Sequence, residues 1–228
     1  MFSTFAKSFL GGSLIGGSAF ALFQRSSGQR VFSAEKRILG ERRKFDVYFV
    51  LGGPGSGKGT LCTNLSSTID GVVHFSAGDL LRAERDKGTK DADLINHYIK
   101  EGLIVPKEIT IGLLEKAMEA SDAHVFLIDG FPRAVDQAQY FEETVARGKA
   151  VLYLKCTEKV MEERIIGRGK TSGRVDDNPE SLRKRFRVFK EVTMPVIQLF
   201  DSTDRLIEVD ATRTPIQVYE DVKRIIEH

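Results

Sequence analysis

The chain of 228 residues has only two cysteines, Cys62 and Cys156, and neither lies in a C-x-x-C pair or at a spacing from histidine that would hold zinc. That scarcity excludes a disulfide framework and a structural zinc site, and both thiols read as reduced, core-side residues. Long apolar runs are also missing. An uncharged stretch near the start, residues 9–23, is too short and too rich in glycine and serine to read as a firm membrane span. From residue 45 onward no basic stripe with interleaved aromatics occurs, so no nucleic-acid partner is expected. The first 34 residues contain no acid at all.

That last absence divides the molecule by charge. Residues 1–44 carry eight of the 34 Lys and Arg and two of the 32 Asp and Glu, a balance of +6 that leaves the remainder at −4. An acid-free, Ser-, Gly- and Phe-rich leader with scattered Lys and Arg has three readings: a mitochondrial presequence, a membrane-associated anchor through residues 9–23, or a disordered extension. A mitochondrial location is the first expectation and a cytoplasmic or nuclear one the alternative. The segment 1–44 is set apart, and residues 45–228 form the expected globular domain.

That domain alternates short apolar runs with longer amphipathic ones, the rhythm of an α/β protein with a parallel sheet and helical crossovers. Strands are expected over residues 47–51, 72–75, 124–128, 150–154 and 206–209. Helical spacing of apolar residues predicts helices over 94–101, 109–120, 136–147 and 158–166, and a last one from Pro215, a residue suited to a first helical position.

The first strand runs into Gly52-Gly53-Pro54-Gly55-Ser56-Gly57-Lys58-Gly59-Thr60, which fits the G-x-x-x-x-G-K phosphate loop. Several consecutive amides can converge on phosphate oxygens only where side chains do not obstruct the curl, and Lys58 adds a charge for the outer phosphates. Gly59 stands where a magnesium-ligating Ser or Thr is usual, and the hydroxyl arrives one residue later at Thr60.

Ligands of open parallel sheets bind beyond the carboxyl ends of the strands. Ser76-Ala77-Gly78-Asp79-Leu80-Leu81-Arg82 follows the second strand, and Asp129-Gly130-Phe131-Pro132-Arg133 follows the third. Each delivers an arginine able to fork onto a phosphate opposite the phosphate loop. Asp129 ends an apolar run, where a carboxylate needs a cation or strong donors, and a water-mediated association with magnesium suits it. Residues 164–178 concentrate glycine, arginine and two adjacent acids, and read as a closing arginine-rich flap, with Arg185 downstream able to join it.

In GGPGSGKGT, FSAGDLLRAE, YIKEGLIVPKEIT, FLIDGFPR and RGKTSGRVDDN, in that order, the chain from residue 47 onward resembles the adenylate kinase family of nucleoside monophosphate kinases, most closely its uridylate-cytidylate (UMP-CMP) kinase branch. The resemblance implies a P-loop fold with a five-stranded parallel sheet, a monophosphate-binding segment over residues 76–106, and a short lid over 168–178 without the cysteines of longer lids. It places the donor ATP, with magnesium, on Gly55, Ser56, Gly57, Lys58, Gly59 and Thr60 and on Arg168. The acceptor phosphate falls to Arg82 and Arg133, and the phosphoryl group in flight to Arg174 and Arg185. Leu103, Ile104, Val105, Gly130, Phe131, Pro132 and Gln137 border the acceptor nucleoside, and Arg213 passes the donor base by its backbone. The implied reaction carries the γ-phosphoryl group of ATP to UMP or CMP, with dCMP also a candidate, by a monomeric enzyme. Ala77 matches the pyrimidine branch, whereas Gln137, long enough to reach the edge of adenine, leaves AMP as the alternative acceptor.

Overall fold

Five short, largely apolar runs become the strands of one sheet. The computed structural model describes residues 45–169 and 176–227. The strands are β1 (Asp46–Leu51), β2 (Val72–Ser76), β3 (Val125–Asp129), β4 (Gly148–Lys155) and β5 (Leu206–Asp210). All neighbours are parallel, in the order β2-β3-β1-β4-β5. The helices are α1 (Lys58–Thr68), α2 (Ala77–Asp86), α3 (Ala92–Glu101), α4 (Lys107–Glu119), α5 (Val135–Thr144), α6 (Glu158–Gly169), α7 (Pro179–Val188), α8 (Met194–Asp201) and α9 (Pro215–Glu227), with a π segment, Phe189–Thr193, between α7 and α8.

Period-two alternation explains why the sheet is covered on both sides. Val47, Phe49 and Leu51 of β1 join Phe126, Ile128 and Val151 on one face, packed by Leu114, Phe141 and Phe200 from α4, α5 and α8. Tyr48 and Val50 point the other way with Leu127, Leu152 and Leu154, against Leu65 of α1 and Val222 of α9. The Phe49 ring sits edge-on to Phe131, Phe141 and Phe200, with centroids 5.4 to 6.0 Å apart. A small third cluster, Leu81, Ile95 and Val105, lies within residues 76–106.

The five strands occupy the expected positions, each within two residues of the reading from sequence. The helix expected over 136–147 stops at Thr144, because the Ala146 amide turns back to the Phe141 carbonyl at 3.2 Å and Gly148 already enters β4. A Cβ on Gly148 would lie 2.3 Å from the Phe49 ring, so the strand can pass there only as glycine. Helix α2 has a local cause that spacing alone did not reveal: Ser76 caps it, its hydroxyl accepting from the Asp79 amide at 3.2 Å. Asn178 caps α7 in the same way, with Pro179 in the first turn.

The strand order places the site. The chain leaves β1 for β2 on one side and leaves β3 for β4 on the other, although β1 and β3 are adjacent. Their carboxyl ends therefore open onto a crevice, where Gly52 and Asp129 begin the two loops that carry the expected chemistry. Among the described residues no helix is long and apolar enough to cross a membrane. Residues 1–44, the range 9–23 within them, and Arg174 lie outside the described residues.

Candidate active site

After Leu51 the backbone takes conformations that demand glycine. Gly55 has φ +81°, and a Cβ there would sit 2.4 Å from the Met161 carbonyl of α6. Gly57, at φ +99°, precedes the first turn of α1. The curl turns Lys58 back over the loop, so that its Nζ donates to the Gly52 carbonyl at 2.8 Å, the Gly53 carbonyl at 2.9 Å and the Ser56 hydroxyl at 3.3 Å. Burial lowers the Lys58 ammonium from its usual range to about 8, an effect that the nearby Asp129 carboxylate opposes and Arg133 and Arg185 reinforce.

Asp129 is the last residue of β3 and pairs in register with Val50. It is 9% exposed, and its Oδ2 lies 3.8 Å from His74 Nε2, a buried nitrogen with no hydrogen-bond partner. A Cβ on Gly59 would stand 3.4 Å from the same oxygen, so the glycine leaves the carboxylate uncovered beside the start of α1. The described residues contain no cluster of three or more acids, histidines or cysteines that would hold a metal by themselves. An exposed edge of one carboxylate, with room beside it, suits a cation that arrives on a ligand and is met through water.

Four arginines converge from different elements. Arg133 follows the Gly130 turn, its Nε donating to the Gly130 carbonyl at 2.9 Å. Burial lowers its pKa, with Arg185 adding to the effect and Asp129 and Asp176 opposing it. Arg82, one turn into α2, pairs with Asp79. Arg185 of α7 meets Asp176 at 2.8 Å and Asp177 at 3.5 Å. Arg168, in the last turn of α6, is held in bidentate fashion by Asp177 at 2.8 and 2.6 Å, and that partner keeps its guanidinium strongly charged.

These groups line one cleft of about 360 Å³. Gly55, Gly57, Lys58, Gly59 and Thr60 form one wall, with Ser56 buried beneath them. Arg82, Gly130, Phe131, Arg133, Arg185 and Asp129 face it, Leu103, Ile104 and Val105 form an apolar border, and Arg168 stands at the rim with them. Pro132 is not on the wall. Arg213 is not brought to it either; it follows β5 and pairs with Asp221 of α9. Gln137 is 3% exposed and both ends of its amide are engaged: Oε1 accepts from the Arg133 amide at 2.9 Å, and Nε2 donates to the Val105 carbonyl at 3.2 Å.

Three residues of the site escaped the sequence reading as individuals. Arg164 donates to the Ser56 carbonyl at 3.4 Å and the Ala211 carbonyl at 3.2 Å, tying the phosphate loop to the turn after β5. Its place four residues before Arg168 on one helix face was the available signal. His74 lies two residues before Ser76 on the same side of β2, a polar residue where an apolar one would suit a strand. Thr193 gives no local signal.

In total the cleft offers two sets of anion-binding groups facing one another: loop amides and Lys58 on one side, paired guanidinium forks on the other. The adenylate kinase family model matches residues 50–205. The uridylate kinase of Schizosaccharomyces pombe is 50% identical over 187 residues, covering 80% of this chain and 98% of that protein. The uridylate kinase of Saccharomyces cerevisiae is 50% identical over 184 residues, covering 79% and 90%. A UMP-CMP kinase of Danio rerio is 46% identical over 194 residues, covering 81% and 98%. A phosphate loop faced by guanidinium forks across the switch point of a five-stranded parallel sheet, together with these matches, means that the chain belongs to the adenylate kinase family.

Proposed function

We propose that this protein is an ATP-dependent nucleoside monophosphate kinase that passes the γ-phosphoryl group of MgATP to UMP or CMP, giving ADP and the nucleoside diphosphate. The observation that carries this reading is the facing pair of phosphate sites, Lys58 with its loop against Arg82, Arg133 and Arg185, in one cleft. A nucleotide switch or motor needs only the first. The relatives named for uridylate and UMP-CMP substrates supply the acceptor class.

In this reading the loop amides and Lys58 orient the donor phosphates, and Arg82 and Arg133 hold the acceptor phosphate so that its oxygen faces the γ-phosphorus. Arg168, Arg174 and Arg185 neutralise charge on the group being passed. No side chain takes a proton from the attacking oxygen, which is already ionised near neutral pH. Alignment and charge neutralisation supply the rate. Asp129 would accept hydrogen bonds from water around magnesium, which when bound with ATP offsets charge on the outer phosphates. Leu103, Ile104 and Val105 border the acceptor nucleoside, while both ends of the Gln137 amide already bond the protein's own backbone.

A coupled assay for ADP with UMP, CMP, dCMP and AMP in turn tests the proposal. Fast turnover with UMP and CMP is expected; AMP as the preferred acceptor would overturn the base assignment, and hydrolysis without any acceptor would overturn the kinase reading. The basic leader supports a mitochondrial destination for the chain. A fusion of residues 1–44 to a fluorescent reporter should enter mitochondria, and a reporter left in the cytosol would refute that destination.

A further inference from the structure

Arg133 is held by more than its own loop. Its amide donates to Gln137 Oε1 of α5 at 2.9 Å, its carbonyl accepts from Thr193 Oγ1 at 2.9 Å, and its Nε returns to the Gly130 carbonyl at 2.9 Å. Thr193 is 4% exposed and closes the π segment, in which the Met194 amide reaches back five residues to the Phe189 carbonyl. The segment continues directly from α7, the helix that presents Arg185 to the cleft.

Helical geometry gives that segment a purpose. Arg185 and Thr193 are eight residues apart, which at about 100° per residue would leave them about 80° out of line in an uninterrupted α-helix. A π turn takes up one additional residue. With that residue absorbed, the separation falls about 20° short of two full turns, and the two side chains share a face. The structure bears this out: Arg133, Arg185, Phe189 and Thr193 border a single small cavity of about 60 Å³ behind Lys58. Lys58, Arg82, Arg133 and Arg185 carry like charge into one cleft, so the spacing of the arginines needs a fixed frame that their mutual repulsion cannot spread.

We propose that the π segment Phe189–Thr193 is a spacer that fixes the separation of the two phosphate-directed arginines, with Thr193 the positioning residue for Arg133; this rests on the kinase reading above. Arg185 belongs to the helix before the spacer, and Arg133 is tied through its carbonyl to the spacer's last residue, Thr193. Each arginine thereby reports on the position of the other before any nucleotide is bound.

Thr193→Val keeps the shape and removes the hydroxyl. It should lower kcat with UMP by about ten- to a hundredfold, the range that a misplacement of about 1 Å produces, and weaken UMP binding in calorimetry while leaving ATP binding intact. Thr193→Ser should recover most of that loss. Inserting one alanine after Val192, which is 37% exposed, adds a residue that the π turn does not absorb and turns Arg185 by about 100° relative to Thr193. Turnover should then fall to that of Arg185→Met while ATP is still bound. Wild-type kcat and UMP affinity in Thr193→Val, or Thr193→Ser as damaging as Val, would overturn the proposal, as would a lowered melting temperature with unchanged kinetics. Should the insertion not fold, the Thr193 pair decides alone. Failure of the kinase reading looks different: the wild-type protein itself would then make no nucleoside diphosphate.

Discussion

Lys58 shows how a single residue is prepared for its ligand. Its three ammonium donors rest on the Gly52 and Gly53 carbonyls and the Ser56 hydroxyl, and burial holds its pKa at about 8. A triphosphate brings negative charge and raises that value, so ATP binding near pH 8 should draw protons from the buffer, and affinity should decline as pH rises through about 8. Calorimetry in buffers of different ionisation enthalpy measures the uptake; none at pH 8 would mean that Lys58 is fully charged beforehand. Lys58→Met removes the charge altogether and should lower turnover by at least about a hundredfold, the scale set by loss of one transition-state stabiliser. Near wild-type rates would exclude Lys58 from the reaction. At this scale much was legible in the chain: the loop glycines, Lys58, Asp129 and the arginines after β2 and β3 all follow strands, where parallel sheets bind ligands. The anchoring of Gln137 was not, because its partners are backbone atoms that carry no residue signature.

Among the elements, packing decides what each glycine does. Gly148 begins β4 under the Phe49 ring, with no room for a Cβ, whereas Gly112 in α4 has nothing within 4 Å of the corresponding position. The same change should therefore have opposite signs. Gly148→Ala should destabilise the fold by about 1–3 kcal/mol through overpacking, and Gly112→Ala should stabilise it by about 0.5–1 kcal/mol through helix propensity. Urea denaturation midpoints read both, and equal shifts would contradict this account. Strands were the easiest elements to find in the sequence, since each is a short apolar run between polar turns. Helices α2, α7 and α8 were harder, because α2 and α7 are short and mostly polar, and their caps at Ser76 and Asn178 become visible only once the following turn is seen to close. The π segment leaves no periodic trace.

For the whole molecule, charge and site are separated along the chain. Among the described residues, every one that lines the main cleft lies between Pro54 and Arg185, and β1 starts at Asp46. A chain beginning at residue 45 should accordingly keep its turnover with ATP and UMP, and a loss of activity on truncation would show that the leader acts on the site.

By itself the sequence determined the α/β rhythm, the donor loop and the identity of the cations, because each depends on local properties: the length of an apolar run, glycine where φ is positive, a charge at the end of a strand. The tertiary structure alone decided the strand order that makes a crevice between β1 and β3, and the bonds that fix the site. Gln137 meets Val105 across 32 residues, Thr193 meets Arg133 across 60, and Arg164 meets Ser56 across 108. Many threonines, glutamines and arginines carry the same local signal, and only the packing of helices on the sheet selects which of them reach the site.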